Sequence, residues 1–133
     1  MYMLDTDICI YIIKRKTKRI LDKIKKNRHK GLCISSITLA EMEFGIANAD
    51  ILYRERNRAA LIEFLSIMEV KKFDEKAACE FGLIKKNLKD GNFLIGPFDM
   101  LIGAHAKSLG MILVTNNENE FKRINCLKIQ NWA

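Results

Sequence analysis

Short apolar runs alternate along this chain with longer stretches whose apolar residues recur every three or four positions. That alternation points to an α/β fold built on a parallel sheet. Residues 2–5 (YMLD), 32–36 (LCISS) and 111–115 (MILVT) read as strands. Helical spacing predicts helices over 8–14, onward through a basic stretch to 27, and over 38–49 and 53–68. Further helices run from the cap Asp74 to 89 and from Pro97 to 108, with a short last one opening at NNENEF. Short strands near 69–73 and 127–130 complete the pattern, and DGNFLIGPFD is the main loop. A chain of 133 residues, 49% of them hydrophobic, suits one domain over 1–133 with a substantial core.

Several classes drop out on composition. No stretch has the length and freedom from charge of a membrane span, and the N-terminal apolar run lacks a basic leader and a small-residue cleavage site, so the expectation is a soluble, cytoplasmic protein. Cys9, Cys33, Cys79 and Cys126 are scattered, with no CxxC pair or histidine at zinc spacing, and read as reduced packing residues. The net charge of +7 is concentrated: residues 14–30 hold ten of the 23 Lys and Arg. A polyanionic partner would explain this run, and so would a helix docked by Ile20, Leu21 and Ile24 with a solvated basic face.

Against that background the acids stand out. In YMLDTDICIYII, Asp5 and Asp7 interrupt a run that is otherwise apolar except for Thr6, and carboxylates are rarely buried without a partner. Glu41 follows Ile37 by four residues and precedes Phe44 by three, which sets it in an apolar helical stripe, whereas Glu43 points elsewhere. Asp99 shares a helix face with Ile102, Gly103 and Ala106. Each has a plainer reading: Asp5 as a helix cap, Asp99 as an anion in a first helical turn, Glu41 as half of an ion pair. Taken together they are harder to dismiss, because strand ends and helix starts in an open α/β sheet converge on one rim, where such folds place ligands. Gathering like charges there costs several kcal/mol per ion unless a cation offsets it, and magnesium or manganese prefers such oxygen donors. A strand followed by DxD also opens haloacid-dehalogenase-type phosphatases, but Cys9 stands where they need Thr or Val, and TNNENEF replaces their downstream acidic pair.

The motifs resemble those of the PIN-domain family, and within it the VapC ribonuclease toxins of bacterial toxin–antitoxin pairs. MLDTDICIYII is similar to the family's first motif, SSITLAEMEFG to its second, GPFDMLIGAHAKSLG to its third and LVTNNENEF to its fourth, with Trp132 as the usual closing tryptophan. The resemblance implies a three-layer α/β/α domain with a central, mostly parallel sheet. It also implies that Asp5, Glu41 and Asp99 are the metal-binding and catalytic carboxylates. Two positions depart from the commonest pattern: Asp7 stands where relatives usually have Asn, and Asn117 where many PIN domains have a fourth Asp. Glu120 then supplies the missing charge through water and Thr115 helps position that loop. Asp7 either caps the first short helix or tunes the metal from behind its ligands.

The implied chemistry is magnesium-dependent hydrolysis of RNA phosphodiesters, manganese being an alternative ion, with products ending in 5′-phosphate and 3′-hydroxyl. A histidine ribonuclease would use the ribose 2′-hydroxyl, but His29 lies in the basic tract and His105 in an Ala-rich helix suits packing or a local hydrogen bond. Lys14, Arg15, Lys18 and Arg19 are candidate RNA contacts. The TNN and GPFD branch resembles toxins that cut initiator tRNA in the anticodon stem-loop. By the same resemblance the chain forms a homodimer and is silenced by a VapB-type antitoxin, whose tail fills the acidic groove while its other end binds operator DNA. The helices of ADILYRERNRAALIEFLSIM could supply both surfaces, although Leu61, Phe64 and Leu65 read as core. Two rivals remain at this level: a non-catalytic RNA-binding module, and a PIN scaffold that only binds its antitoxin.

Overall fold

The computed structural model describes every residue except Lys16 and the side chain of Arg15. Five short strands, β1 (Tyr2–Leu4), β2 (Leu32–Ser35), β3 (Glu69–Lys71), β4 (Ile112–Val114) and β5 (Ile129–Gln130), lie side by side in the order β3-β2-β1-β4-β5. Every neighbouring pair is parallel, so the mostly parallel sheet expected from sequence is a wholly parallel one. Parallel strands need long crossovers, and helices supply them. These are α1 (Thr6–Arg15), α2 (Lys18–Asn27), α3 (Ser36–Ala47), α4 (Ile51–Leu65), α5 (Glu75–Asp90), α6 (Pro97–Ser108) and α7 (Glu118–Phe121).

Side chains alternate across β1 and thereby feed two cores. Tyr2 and Leu4 pack with Ile8, Ile12, Ile20, Ile24, Leu61, Phe64 and Trp132 on the side covered by α1 to α4. Met3 points the other way, into Ile84, Met100, Ile102, Leu113 and Phe121 under α5 to α7. The sheet is therefore buried on both faces, which is why its central strands read as unbroken apolar runs. This is the three-layer α/β/α arrangement.

Local signals explain most element ends. Thr17, Asp50 and Asp74 cap α2, α4 and α5 through their side-chain oxygens, and Pro97 opens α6. Two sequence expectations need correction. The basic helix docks through Ile20 and Ile24 but leaves Leu21 at the surface. In α3 the buried face is Thr38, Met42 and Ile46, while Phe44 is 68% exposed. Apolar residues surround that helix on all sides, so spacing alone does not single out the face that packs. Leu61 and Phe64 are core as expected, with Leu65 half-buried. Of the cysteines, Cys9 and Cys33 pack inside, whereas Cys79 and Cys126 are exposed.

Candidate functional site

From β1 the chain steps outward through β2 to β3, then returns to place β4 and β5 on the opposite side of β1. The C-terminal ends of β1 and β4 thus flank a switch in winding direction, the place where open parallel sheets bind ligands. Asp5 follows β1 and Thr115 follows β4. The Asp5 backbone N–H donates to the Val114 carbonyl at 3.0 Å, extending the strand pairing one step beyond the sheet.

Asp5 is 2% exposed. Its Oδ1 accepts the Ile8 N–H at 2.9 Å, so it caps α1, and its Oδ2 accepts the Thr115 hydroxyl. Burial pushes its carboxyl up to about 6, against the pull of those two hydrogen bonds, and the charges of Asp7 and Glu41 add to the rise. Capping does not account for a carboxylate held where its charge is disfavoured.

Asp99 occupies the first turn of α6, half-buried, with Ile102, Gly103 and Ala106 buried along the same helix. Its carboxyl is pushed up to about 7, first by burial, then by a hydrogen bond with the Glu120 carboxyl, with the charges of Glu120, Asp5 and Asp7 adding further. Two carboxyls can bond to each other only by holding a proton between them. Asn117 Nδ2 approaches Asp99 Oδ2 at 3.4 Å, and the Asn117 N–H donates to Thr115 Oγ1 at 2.8 Å. Thr115 and Asn117 thereby link the two acids.

Glu41, on α3, is half-buried and accepts a hydrogen bond from the Thr6 hydroxyl at 2.6 Å, which lies 3.2 Å from the Thr38 hydroxyl. Sequence reasoning missed Thr6 as a site residue. The available signal was its polarity within an apolar run. Asp7 is exposed in the first turn of α1. The helix starts two residues earlier than expected, so its cap is Asp5, and Asp7 reaches the site through its field on Asp5 and Asp99.

The donor set suits a hard divalent cation: carboxylate, hydroxyl and amide oxygens at one sheet rim, with two carboxyls raised by burial and by the acids around them. Among the described residues, none of Asp5, Asp7, Glu41, Asp99 or Glu120 forms an ion pair with a basic side chain. Nor, among those residues, do three Asp, Glu, His or Cys side chains already stand close enough to enclose an ion. Uncompensated like charges turn aside to hydroxyl and amide partners, as Asp5, Glu41 and Asp99 do here.

The predicted RNA contacts divide. Lys14 is exposed on α1 and lines a hollow of about 260 Å³ together with Glu41, Ile10, Met42 and Asn57. Lys18 and Arg19 line a separate hollow on α2 with Asp22, Lys23 and Lys26. Arg15's side chain lies outside the described residues. His29 is exposed in the Arg28–Lys30 turn, whereas His105 is 1% exposed with its Nδ1 2.8 Å from Ser35 Oγ, and burial lowers its proton affinity.

The comparisons with known proteins agree with this arrangement. The family model for the PIN domain matches residues 2–126. The chain is 45% identical over 132 residues to a protein of Haemophilus influenzae called ribonuclease VapC2, covering 99% of this chain and 98% of that one. It is 39% identical over 132 residues to the tRNA(fMet)-specific endonuclease VapC of Shigella flexneri, again covering 99% of this chain and 98% of that one. The structure superposes with a TM-score of 0.94 on a chain of the DNA-bound VapBC complex from Salmonella typhimurium, at 40% identity and with 99% and 98% of the two chains covered. The chain belongs to the PIN-domain family, in its VapC ribonuclease branch.

Proposed function

We propose that this chain is the toxin of a toxin–antitoxin pair, a single PIN domain over 1–133 that cleaves RNA with the help of a divalent cation. The observation that carries the reading is the link of Asp5 and Asp99 through Thr115 and Asn117 at the sheet's switch point, both carboxyls raised first by burial and further by neighbouring acids, with no basic side chain among the described residues to neutralise them. Asp5, Asp99 and Glu41 would hold the ion, magnesium by preference and manganese as the substitute, with Asp7, Glu120, Asn117 and Thr115 around them. Such an ion, when bound, lowers the pKa of a water and neutralises charge growing on the phosphate.

The chain's own residues do the rest. Thr115 and the Ile8 N–H hold Asp5 in one orientation, and Thr6 holds Glu41. A carboxylate of the group left free of the ion accepts the proton of the attacking water. Lys14, at the edge of the hollow that Glu41 lines, contacts a flanking phosphate, while Lys18 and Arg19 on α2, with Arg15, add salt-dependent attraction for the RNA backbone. His105 takes no part in proton transfer, because it is buried in the core with its Nδ1 held against Ser35 Oγ. The products end in 5′-phosphate and 3′-hydroxyl.

The relative named for tRNA(fMet) supports initiator tRNA, cut in its anticodon stem-loop, as the substrate. The superposed VapBC complex bound to DNA supports a VapB-type antitoxin as partner, reaching operator DNA through that antitoxin, with the toxin as a homodimer. No helix among the described residues is long and apolar enough to cross a membrane, and the cytoplasm is the proposed location. The test is purified, antitoxin-free protein incubated with total cellular RNA, with and without magnesium. Cleavage in the magnesium lane alone is the expected result, with initiator tRNA among the cut species. Intact RNA in both lanes refutes the nuclease reading.

A further inference from the structure

His105 lies deep in the core, on a part of α6 that the proposed chemistry does not use. Its Nδ1 is 2.8 Å from Ser35 Oγ, both residues being buried. Burial disfavours the charged ring, so the imidazole is neutral, and in either tautomer Nδ1 can pair with the Ser35 hydroxyl, which both donates and accepts. Ser35 is also the cap of α3, its Oγ accepting the Ile37 N–H at 3.0 Å. The next residue, Ser36, accepts the Phe73 N–H at 3.1 Å, and the Phe73 ring meets the imidazole edge-on at 5.4 Å between centroids. One imidazole therefore joins α6, the β2–α3 corner and the chain leaving β3.

The spacing along the two helices gives this junction its consequence. Asp99 precedes His105 by six residues on α6, and Glu41 follows Ser35 by six on α3, a rise of about 9 Å in each case. Fixing His105 to Ser35 sets the axial and rotational position of one acid-bearing helix against the other. We infer that His105 is a positioning residue, which through its hydrogen bond to the α3 cap Ser35 fixes the separation of Asp99 and Glu41 and so the affinity of the acidic group for a divalent cation. The inference rests on the metal-binding reading proposed above.

The test contrasts two substitutions of similar size in the full, antitoxin-free chain. His105→Asn keeps a polar atom where Nδ1 stands and can still bond Ser35, whereas His105→Gln keeps one only where Nε2 stands. Manganese is titrated into each by calorimetry, with thermal unfolding recorded alongside. The expected result is manganese binding within about threefold of the parent for His105→Asn and roughly tenfold weaker for His105→Gln, at similar unfolding midpoints. Equal manganese affinity in the two variants, whether parental or weakened, overturns the inference. Ser35→Ala, removing the hydroxyl from the other side, should weaken manganese binding to a similar degree and add little to His105→Gln in the double variant. Fully additive losses also overturn it. A parent chain that binds no manganese overturns the metal reading itself, a result visible in that one titration before any variant is compared.

Discussion

Asp5 combines two roles that usually fall to different residues, since one carboxylate oxygen caps α1 while the other meets Thr115 across the sheet's switch point. Asn keeps the α1 cap through its Oδ1 and can hold the second contact with its direction reversed, Nδ2 donating to Thr115 Oγ1, so Asp5→Asn should retain the fold and lose magnesium-dependent cleavage, and Asp99→Asn should do the same. In metal-free protein each should raise stability by about 1 kcal/mol, because it removes a carboxylate that the folded state holds at a disadvantage. RNA cleavage and denaturant unfolding measured side by side check this, and a variant as active as the parent excludes that residue from the site. Asp7 calls for a different measurement. It is exposed and is not the helix cap, so Asp7→Asn should leave stability unchanged and raise the magnesium concentration for half-maximal cleavage by about tenfold. An unchanged magnesium dependence would leave LDTD with Asp5 as its one working acid. These acids were legible in sequence because a charge within an apolar run is conspicuous. The Thr6–Glu41 and Ser35–His105 bonds were not, since they join residues 35 and 70 positions apart and carry no local pattern.

At the scale of elements, the helices supply the site and their packing decides how firmly it is held. Gly103 lies on the buried side of α6, where a Cβ would stand 2.5 Å from Ile124 Cδ1 and 3.5 Å from Phe121 Cε1. Gly103→Val should therefore push α6 away from the segment containing α7 and destabilise the fold by about 1–3 kcal/mol. A denaturant midpoint at or above the parent's would show that this packing has room to spare. Helix existence was legible from spacing, and caps such as Asp74 were legible from residue type. The inward face of α3 was not, because Phe44 and Met42 are equally apolar and only the folded surroundings bury one and expose the other. β3 was weakly marked for a related reason. Glu69 and Val70 are exposed at the sheet edge, so that strand lacks the apolar run of β1 or β4.

For the whole molecule, the raised carboxyls tie stability to pH and to cation. Asp5 and Asp99 bind protons more readily folded, at about 6 and about 7, than at the ordinary 3.8. Between those values the native state holds more protons than the unfolded state, so stability is greatest in acid and falls as pH rises from about 4 towards 7. The unfolding temperature of metal-free protein should follow that course. Magnesium should restore it at neutral pH by binding the native state alone, and should restore nothing in an Asp5→Asn, Asp99→Asn double variant. A midpoint that rises with pH over this range reverses the sign and removes the argument for crowded carboxylates.

The strand order also sets a timetable for synthesis. β4 enters the sheet beside β1 only after more than a hundred residues have been made, and Asp5 waits for Thr115, 110 positions downstream. Until β4 has been made, Asp5 can cap α1 through Ile8 but lacks the Thr115 hydroxyl that its other oxygen accepts. At ordinary elongation rates of about 5–20 residues per second, that interval lasts roughly 5–20 seconds. The acidic group is therefore assembled only when β4 pairs with β1 and brings Thr115 to Asp5.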